Sequence, residues 1–162
     1  MIGMATEIER KFLVVDDSWK EQVIEQTAMV QGYLVAGADL SVRVRIKGDR
    51  SFLTVKGRTE GIERSEFEYA IPVDDARAML EQFAQGPIID KVRSVVDVAG
   101  MLWEVDVFAG DNQGLVMAEV ELASADQEVQ LPDWAGLEVS DDPRYYNVNL
   151  VTNPFRNWGL DG

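Results

Sequence analysis

The sequence predicts a mainly β chain of the α+β kind, folded as a closed eight-stranded antiparallel barrel with a charged lumen and a few peripheral helices. Three observations carry this expectation. Apolar and polar residues alternate with period two through eight separate segments. Short turn signals, Ala36-Gly37-Ala38-Asp39, Lys47-Gly48-Asp49-Arg50 and Ala99-Gly100, join several of them and suit hairpins. Charges are also sorted by segment, some carrying only bases on one face and others only acids.

The strands are expected near residues 5–14, 30–36, 40–47, 51–58, 63–71, 89–98, 102–108 and 115–122, with a longer loop from Gly57 to Gly61. Helices are fewer. Asp17 or Ser18 can cap one running to about Ala28, with Trp19, Val23 and Ile24 on its apolar side. Asp74 can cap a second, in which Ala76, Met79, Leu80 and Phe83 recur at helical spacing before Gly86-Pro87 stops it. A short helix is expected over Ala125 to Val129, ended by Pro132. Asp142-Pro143 should open a last one over Arg144 to Val151. The tail from Asn153 to Gly162 has no clear pattern.

A length of 162 residues fits one domain, expected to span 1–162. With 46% hydrophobic residues the chain can bury a core. Its 15 Lys and Arg against 29 Asp and Glu give a net charge of −14. That balance argues against broad binding to nucleic acid or an anionic membrane, but not against a small anion in a local basic site. Without cysteine there is no disulfide, thiolate nucleophile or thiolate metal ligand, and without histidine the commonest general base is missing. Catalysis is left to Asp, Glu, Lys, Arg, Tyr or a hard metal ion held by oxygen. The N-terminus has no signal-peptide pattern, and no apolar run approaches the ~20 residues of a membrane span, so the cytoplasm is the expected compartment.

Side chains two apart on a strand share a face. Glu7, Glu9 and Lys11 align on the first strand, and Arg43, Arg45 and Lys47 on the third, opposite Val42, Val44 and Ile46. Lys56 and Arg58 follow, then Glu66 and Glu68, Lys91 and Arg93, Glu104 and Asp106, and Glu119 and Glu121. Alternation alone also fits an ordinary barrel or sandwich with these faces in water. Two facts favour the inverted arrangement. Like charges two apart repel, so an open surface gains nothing from the sorting. The helices' apolar sides also need apolar strand faces to cover. Lys11, Arg43, Arg45, Lys56, Lys91 and Arg93 would then face the eight acids in a lumen just wide enough for side chains or one small ligand. Clustered carboxylates suit Mg²⁺ or Mn²⁺, and spread Arg and Lys suit the phosphates of one polyanion.

Thr6-Glu7-Ile8-Glu9-Arg10-Lys11-Phe12 resembles the E-x-E-x-K signature of the CYTH superfamily, the triphosphate tunnel metalloenzymes. The resemblance continues in order through Gln31-Gly32-Tyr33-Leu34, Arg43-Val44-Arg45, Thr54-Val55-Lys56, Arg64-x-Glu66-x-Glu68, Lys91-x-Arg93, Glu104-x-Asp106-x-Phe108 and Glu119-Val120-Glu121. One such piece is a weak signal; eight in order on successive strands are a strong one.

The resemblance implies a closed eight-stranded tunnel and divalent-metal chemistry on triphosphates, closest to the compact bacterial inorganic triphosphatases. It implies that Arg43, Arg45, Lys56, Lys91 and Arg93 bind substrate. Glu7, Glu9, Glu119 and Glu121 would hold the metal, two Mg²⁺ or Mn²⁺ ions being expected, with Glu66, Glu68 and Asp106 supporting through water. Lys11 would orient the attacking water or steady the leaving oxygen, with Tyr33 as a hydrogen-bonding partner, and a glutamate such as Glu9 would take part in catalysis. Other activities consistent with the resemblance are adenylyl cyclase, thiamine or nucleoside triphosphatase, and a noncatalytic polyphosphate-binding module. Retention of every acidic pair favours catalysis. Arg144-Tyr145-Tyr146-Asn147 matches the family's R-Y-x-N segment, with Tyr146 where a lysine is common, so this helix is expected to plug one tunnel end by packing Tyr145 and Leu150. Outer apolar surface left uncovered by so few helices suits a homodimer.

Overall fold

Strand pairing returns to its starting point. A computed structural model describes residues 6–159. It contains β1 (Thr6–Val14), β2 (Val23–Ala36), β3 (Leu40–Lys47), β4 (Arg50–Gly57) and β5 (Glu63–Ile71), then α1 (Val73–Phe83). There follow β6 (Ile89–Val98), β7 (Met101–Phe108), β8 (Val116–Glu121), β9 (Ala135–Glu138) and α2 (Asn147–Leu150). The sheet order is β5-β4-β3-β2-β6-β7-β8-β1, and β1 pairs with β5 to close an eight-stranded barrel. All of these pairings are antiparallel. No helix among the described residues is long and apolar enough to cross a membrane.

The eight expected strands are present, and four expectations need correction. The helix expected to Ala28 is only a 3-10 turn, Ser18–Gln22; from Val23 the chain is strand, paired with β6 from Val23↔Val96 to Gln31↔Ile89. Closing the barrel requires this long strand, and its ladder overrides the weak helical spacing. Ala125 and Asp126 form a turn instead of a helix, and the chain beyond them reaches an unexpected ninth strand, β9, which pairs with the end of β1. The last expected helix is broken at Tyr146, whose extended backbone separates a 3-10 turn, Pro143–Tyr145, from α2. The Asp142 carboxylate does cap that first turn, accepting from the Arg144 N–H. Pro72, not Asp74, precedes α1, and Asp74 sits in its first turn. Residue 5, the expected start of the first strand, and the last three tail residues lie outside the described residues.

One of the two hydrophobic clusters lies outside the barrel wall. Phe12, Val96, Trp103, Val105, Ala118 and Val120 point outward from β1, β6, β7 and β8 and are covered by Trp19, Leu122 and Trp134. Phe12 and Trp134 rings stand 5.5 and 5.4 Å from Trp103. On the opposite side α1 lies against β2, β3 and β4, and Gly32 lets it approach, because a Cβ there would meet Leu80 and Ile88. A second cluster joins the C-terminal segment to one end: Tyr145, Leu150 and Val151 pack with Tyr33, Ile89, Phe108 and Met117. This is the plug expected from Tyr145 and Leu150. Some apolar surface is left over, including Phe67 and Tyr69 on β5 and Leu102 on β7.

Trp103 is fully buried in the outer core, and its indole N–H has no hydrogen-bond partner among the described residues. Trp103→Ala should therefore cost about 3–5 kcal/mol of stability, whereas Trp103→Phe, which loses no hydrogen bond, should cost clearly less. Denaturant unfolding of both variants checks this; equal, small losses would mean that the outer face is not the core.

Candidate functional site

The alternate residues of the same strands point inward. They line one cavity of about 200 Å³ that contains Glu7, Glu9, Lys11, Tyr33, Arg43, Arg45, Lys56, Glu66, Glu68, Lys91, Arg93, Glu119 and Glu121. Of the residues singled out in the sequence, Asp106 alone stands behind the cavity wall. Arg58 faces solvent, 3.5 Å from Asp39.

Strand register places these groups. Lys11 lies opposite Glu119 and Glu9 opposite Glu121 across β1 and β8. Arg93 lies opposite Asp106, and Lys56 opposite Glu66. Asp106 accepts a two-bonded clamp from Arg93, at 2.7 and 2.8 Å, and its second oxygen lies 2.8 Å from the Lys91 ammonium. Burial would raise the Asp106 pKa, but Arg93 and Lys91 outweigh it and hold the carboxylate well below its usual range. Both its oxygens are committed, so Asp106 acts as the counter-charge beneath two bases.

Lys91 is completely buried, with its ammonium also 2.9 Å from the Asn147 amide oxygen. Burial, together with Arg93 and Arg45, brings its pKa down to about 7. Arg45 donates from Nε to Gln31 Oε1 at 2.8 Å, and Gln31 in turn donates to Asn147 at 3.2 Å. No carboxylate pairs with Arg45 among the described residues. Burial and the neighbouring Arg43 and Arg93 pull its pKa down to about 9. A guanidinium stays protonated, so this shift marks positive charge that the protein leaves uncompensated. Arg43 is 3.6 Å from Glu68, and its buried Nε has no partner.

The acidic side is crowded instead. Burial, then Glu119 and Glu7, raise the Glu9 pKa to about 8. Burial opposes Glu7's charge too, yet Lys56 at 3.2 Å and Arg64 at 3.1 Å hold its pKa down to about 2. Glu119 is held well below its usual range, against burial, by Lys11 at 3.5 Å and Arg93 at 3.7 Å. Tyr33 and Lys11 share the cavity but no hydrogen bond joins them; the Lys11 ammonium lies over the Tyr146 ring, 5.6 Å from its centre.

The donor set fits a hard cation: it offers carboxylate oxygen and neither histidine nor cysteine, and Glu9 is held next to like charges. No three carboxylates are already gathered as a ligand shell among the described residues, because most are turned toward bases. Sequence reasoning missed four contributors. Arg64 and Ser41 line the cavity, and Arg64 is in phase with Glu66 and Glu68, a signal that was there to be used. Gln31 and Asn147 act through hydrogen bonds across the barrel, which strand periodicity does not reveal.

Crowding at Glu9 has a sign. Its folded-state pKa is raised, so its stabilising contribution is complete below about pH 4.5 and is lost as pH rises through about 8. In chelator, Glu9→Gln should melt above the unaltered protein, with a gap that widens from pH 5 to pH 9. Thermal melts across that range check it; a constant or inverted gap would show that Glu9 is not crowded.

The chain matches the CYTH domain family over residues 5–146. It is 46% identical, over 96% of its length and 99% of the relative's, to the inorganic triphosphatase of Acetivibrio thermocellus. It is 38% identical, over 90% of its length and 97% of the relative's, to the inorganic triphosphatase of Nitrosomonas europaea. The crystal structure of an inorganic triphosphatase superposes with a TM-score of 0.65 at 35% identity, covering 90% of this chain and 93% of that one. The closed barrel, its charged interior and this match over most of the sequence make the chain a member of the CYTH domain family.

Proposed function

We propose that the chain hydrolyses inorganic triphosphate to pyrophosphate and phosphate inside the tunnel, with Mg²⁺ or Mn²⁺ as cofactor, two ions per site, and the cytoplasm as its compartment. The observation that carries this is the buried basic wall in which Arg45 has no carboxylate partner among the described residues. Burying such a charge is costly unless an anion completes it. The two relatives named inorganic triphosphatase support the same substrate.

Arg43, Arg45, Lys56 and Arg93 bind the phosphates, their guanidinium forks and ammonium matching phosphate oxygens. Lys91 has two of its three N–H donors taken by Asp106 and Asn147, leaving one for a phosphate oxygen. Asp106 positions Arg93 and Lys91. Glu7, Glu9, Glu119 and Glu121 would hold the cations, with Glu66 and Glu68 at their margin. Bound there, a divalent ion neutralises phosphate charge and acidifies water. In the reaction, water oxygen bonds to a terminal phosphorus as the bond to the bridging oxygen breaks, pyrophosphate leaves, and a glutamate of the acidic wall accepts the water proton. The basic wall stabilises charge on the transferred phosphoryl group. Lys11, beside Glu119, orients the water or steadies the leaving oxygen, and Tyr33 borders the same space. The exposed Phe67 and Tyr69 on β5 are the surface a homodimer would use.

Since the lumen addresses phosphate, inorganic triphosphate should be hydrolysed faster than ATP or thiamine triphosphate, and cyclic AMP should not form. Parallel phosphate-release assays with Mg²⁺ or Mn²⁺, with chromatography of the ATP products, test this. Cyclic AMP as the main product would overturn the hydrolase assignment.

Arg45→Ala should weaken triphosphate binding by about ten- to a hundredfold, as loss of one charge-assisted contact does, while the outer core keeps the fold intact. Titration calorimetry together with a thermal melt reads both. Unchanged affinity would remove Arg45 from the substrate site.

A further inference from the structure

The lumen continues beyond its wall beneath the loop between β4 and β5. A small hollow shares Glu7, Glu9, Lys11, Arg64 and Tyr146 with it. A larger one, of about 360 Å³, shares Ser41, Arg64, Tyr146 and Val148. Arg64 and Tyr146 are the two residues that line all three spaces. The larger hollow carries Arg58 and Arg64 against one lining acid, Asp141, in a chain whose net charge is −14. Arg58 and Arg64, the latter also paired with Glu7 at 3.1 Å, thus make it locally basic on an acidic protein, and it is continuous with a lumen that carries both signs. Among the described residues Arg58 is engaged only by the exposed Asp39 at 3.5 Å, an ion pair of small worth in water.

Tyr146 stands at the junction and is held at both ends. Its hydroxyl donates to the Ser140 carbonyl oxygen at 3.0 Å, and its ring faces the Lys11 ammonium. Ser140 is itself fixed, accepting the Lys11 N–H at 2.9 Å and donating to Glu138 at 2.7 Å. A ring so anchored cannot easily swing aside, and it offers no positive charge to draw a further phosphate inward. Both properties follow from a tyrosine in the position before Asn147.

We propose that Tyr146 sets the length of phosphate chain the tunnel accepts, and that the hollow lined by Arg58 and Arg64 is a subsite for a fourth and later phosphate that Tyr146 closes off. This rests on the triphosphatase reading above and adds the residue that makes it selective. A linear polyphosphate would have to pass between Tyr146 and Arg64 to place its extra units on Arg58.

The test compares inorganic triphosphate, linear tetraphosphate and ATP with the unaltered chain, Tyr146→Ala, Tyr146→Leu and Tyr146→Phe. The unaltered chain should prefer triphosphate over tetraphosphate in kcat/KM. Removing the ring should move that ratio toward tetraphosphate by about tenfold, the scale on which one added or missing group in a pocket discriminates. Tyr146→Phe keeps the ring but frees its outer end, so it should move the ratio by less than either ring-less variant, and adding Arg58→Ala to Tyr146→Ala should cancel part of the gain. Thermal shifts by the same two phosphates give the ratio as binding, so a variant with impaired turnover still reports. An unmoved ratio in both ring-less variants, by turnover and by thermal shift, would overturn the proposal. A gain confined to ATP would do so too, since the hollow would then take a nucleoside. Failure of the unaltered chain to hydrolyse triphosphate would sink the assigned activity, and the thermal-shift ratio would still decide whether Tyr146 limits length.

Discussion

Every part of this barrel answers to the need to neutralise charge in its interior. Ionised groups taken out of water cost several kcal/mol each unless partners compensate them. The wall achieves this by register: Asp106 lies between Arg93 and Lys91, Glu7 between Lys56 and Arg64, and Glu119 between Lys11 and Arg93. Each carboxylate is kept ionised by two cations against the effect of burial. Where that pairing is incomplete, the groups are the ones with chemistry to do. Arg45 keeps its charge without a counter-ion among the described residues, and Glu9 is pushed toward neutrality by burial and then by its acidic neighbours. The lumen thus has a cationic side suited to phosphate and an anionic side suited to a cation, separated by paired groups that hold both in place.

A charged interior forces the apolar core outward, and the peripheral segments follow from that. Trp103, Val105 and Val120 would face water if Trp19 and Trp134 did not cover them. The chain from residue 123 to β9, and the turn that carries Trp19, are accordingly part of the core. The same holds for the C-terminal segment, whose Tyr145 and Leu150 pack against Tyr33 and Phe108 while Asn147, two residues on from Tyr145, reaches Lys91 in the lumen. One short stretch therefore closes the barrel end and completes the polar network, and the break at Tyr146 allows it: on a continuous helix Tyr145 and Asn147 would point about 200° apart and could not both reach the barrel.

Most of the barrel was legible because alternation and charge sorting are local in the sequence. Glu63–Ile71 and Ile89–Val98 are read directly from their period, and the inward phase of Arg43, Arg45, Lys91 and Arg93 comes with it. The missed pieces depend on distant partners. Residues 23–29 carry little strand signal and become strand because β6 is there to pair with. Four residues after Pro132 form β9 because Gly136 can lie against Leu13 and Val15, where a Cβ would collide. Asp106 was read with the right phase, but its depth and its commitment to two bases follow from three-dimensional placement. Gln31 and Asn147 stand in segments that resemble the family, but their hydrogen bonds to Arg45 and Lys91 follow from placement in the same way.

The core around Trp103 and the site occupy opposite faces of the same strands, so a single variable controls both. On β1, Lys11 sits beside Glu119 of the adjacent β8 on the lumen face, while its neighbour Phe12 sits beside Ala118 in the outer core. A slip of one residue would place Phe12 among the charges and Lys11 among tryptophans, with a penalty on both faces. The ladders linking β3 to β4, β4 to β5, β6 to β7 and β7 to β8 run without a register shift. Irregularities fall elsewhere, between Val23 and Glu25, between Tyr33 and Val35, and where β9 meets β1. Arg43, Arg45, Lys56, Arg93 and Glu119 each thus sit in at least one ladder of unbroken register. Hydrophobic burial on the outside fixes the position of charge on the inside. A lumen whose charges alone would favour opening is in this way held in one geometry by a core that never touches the ligand.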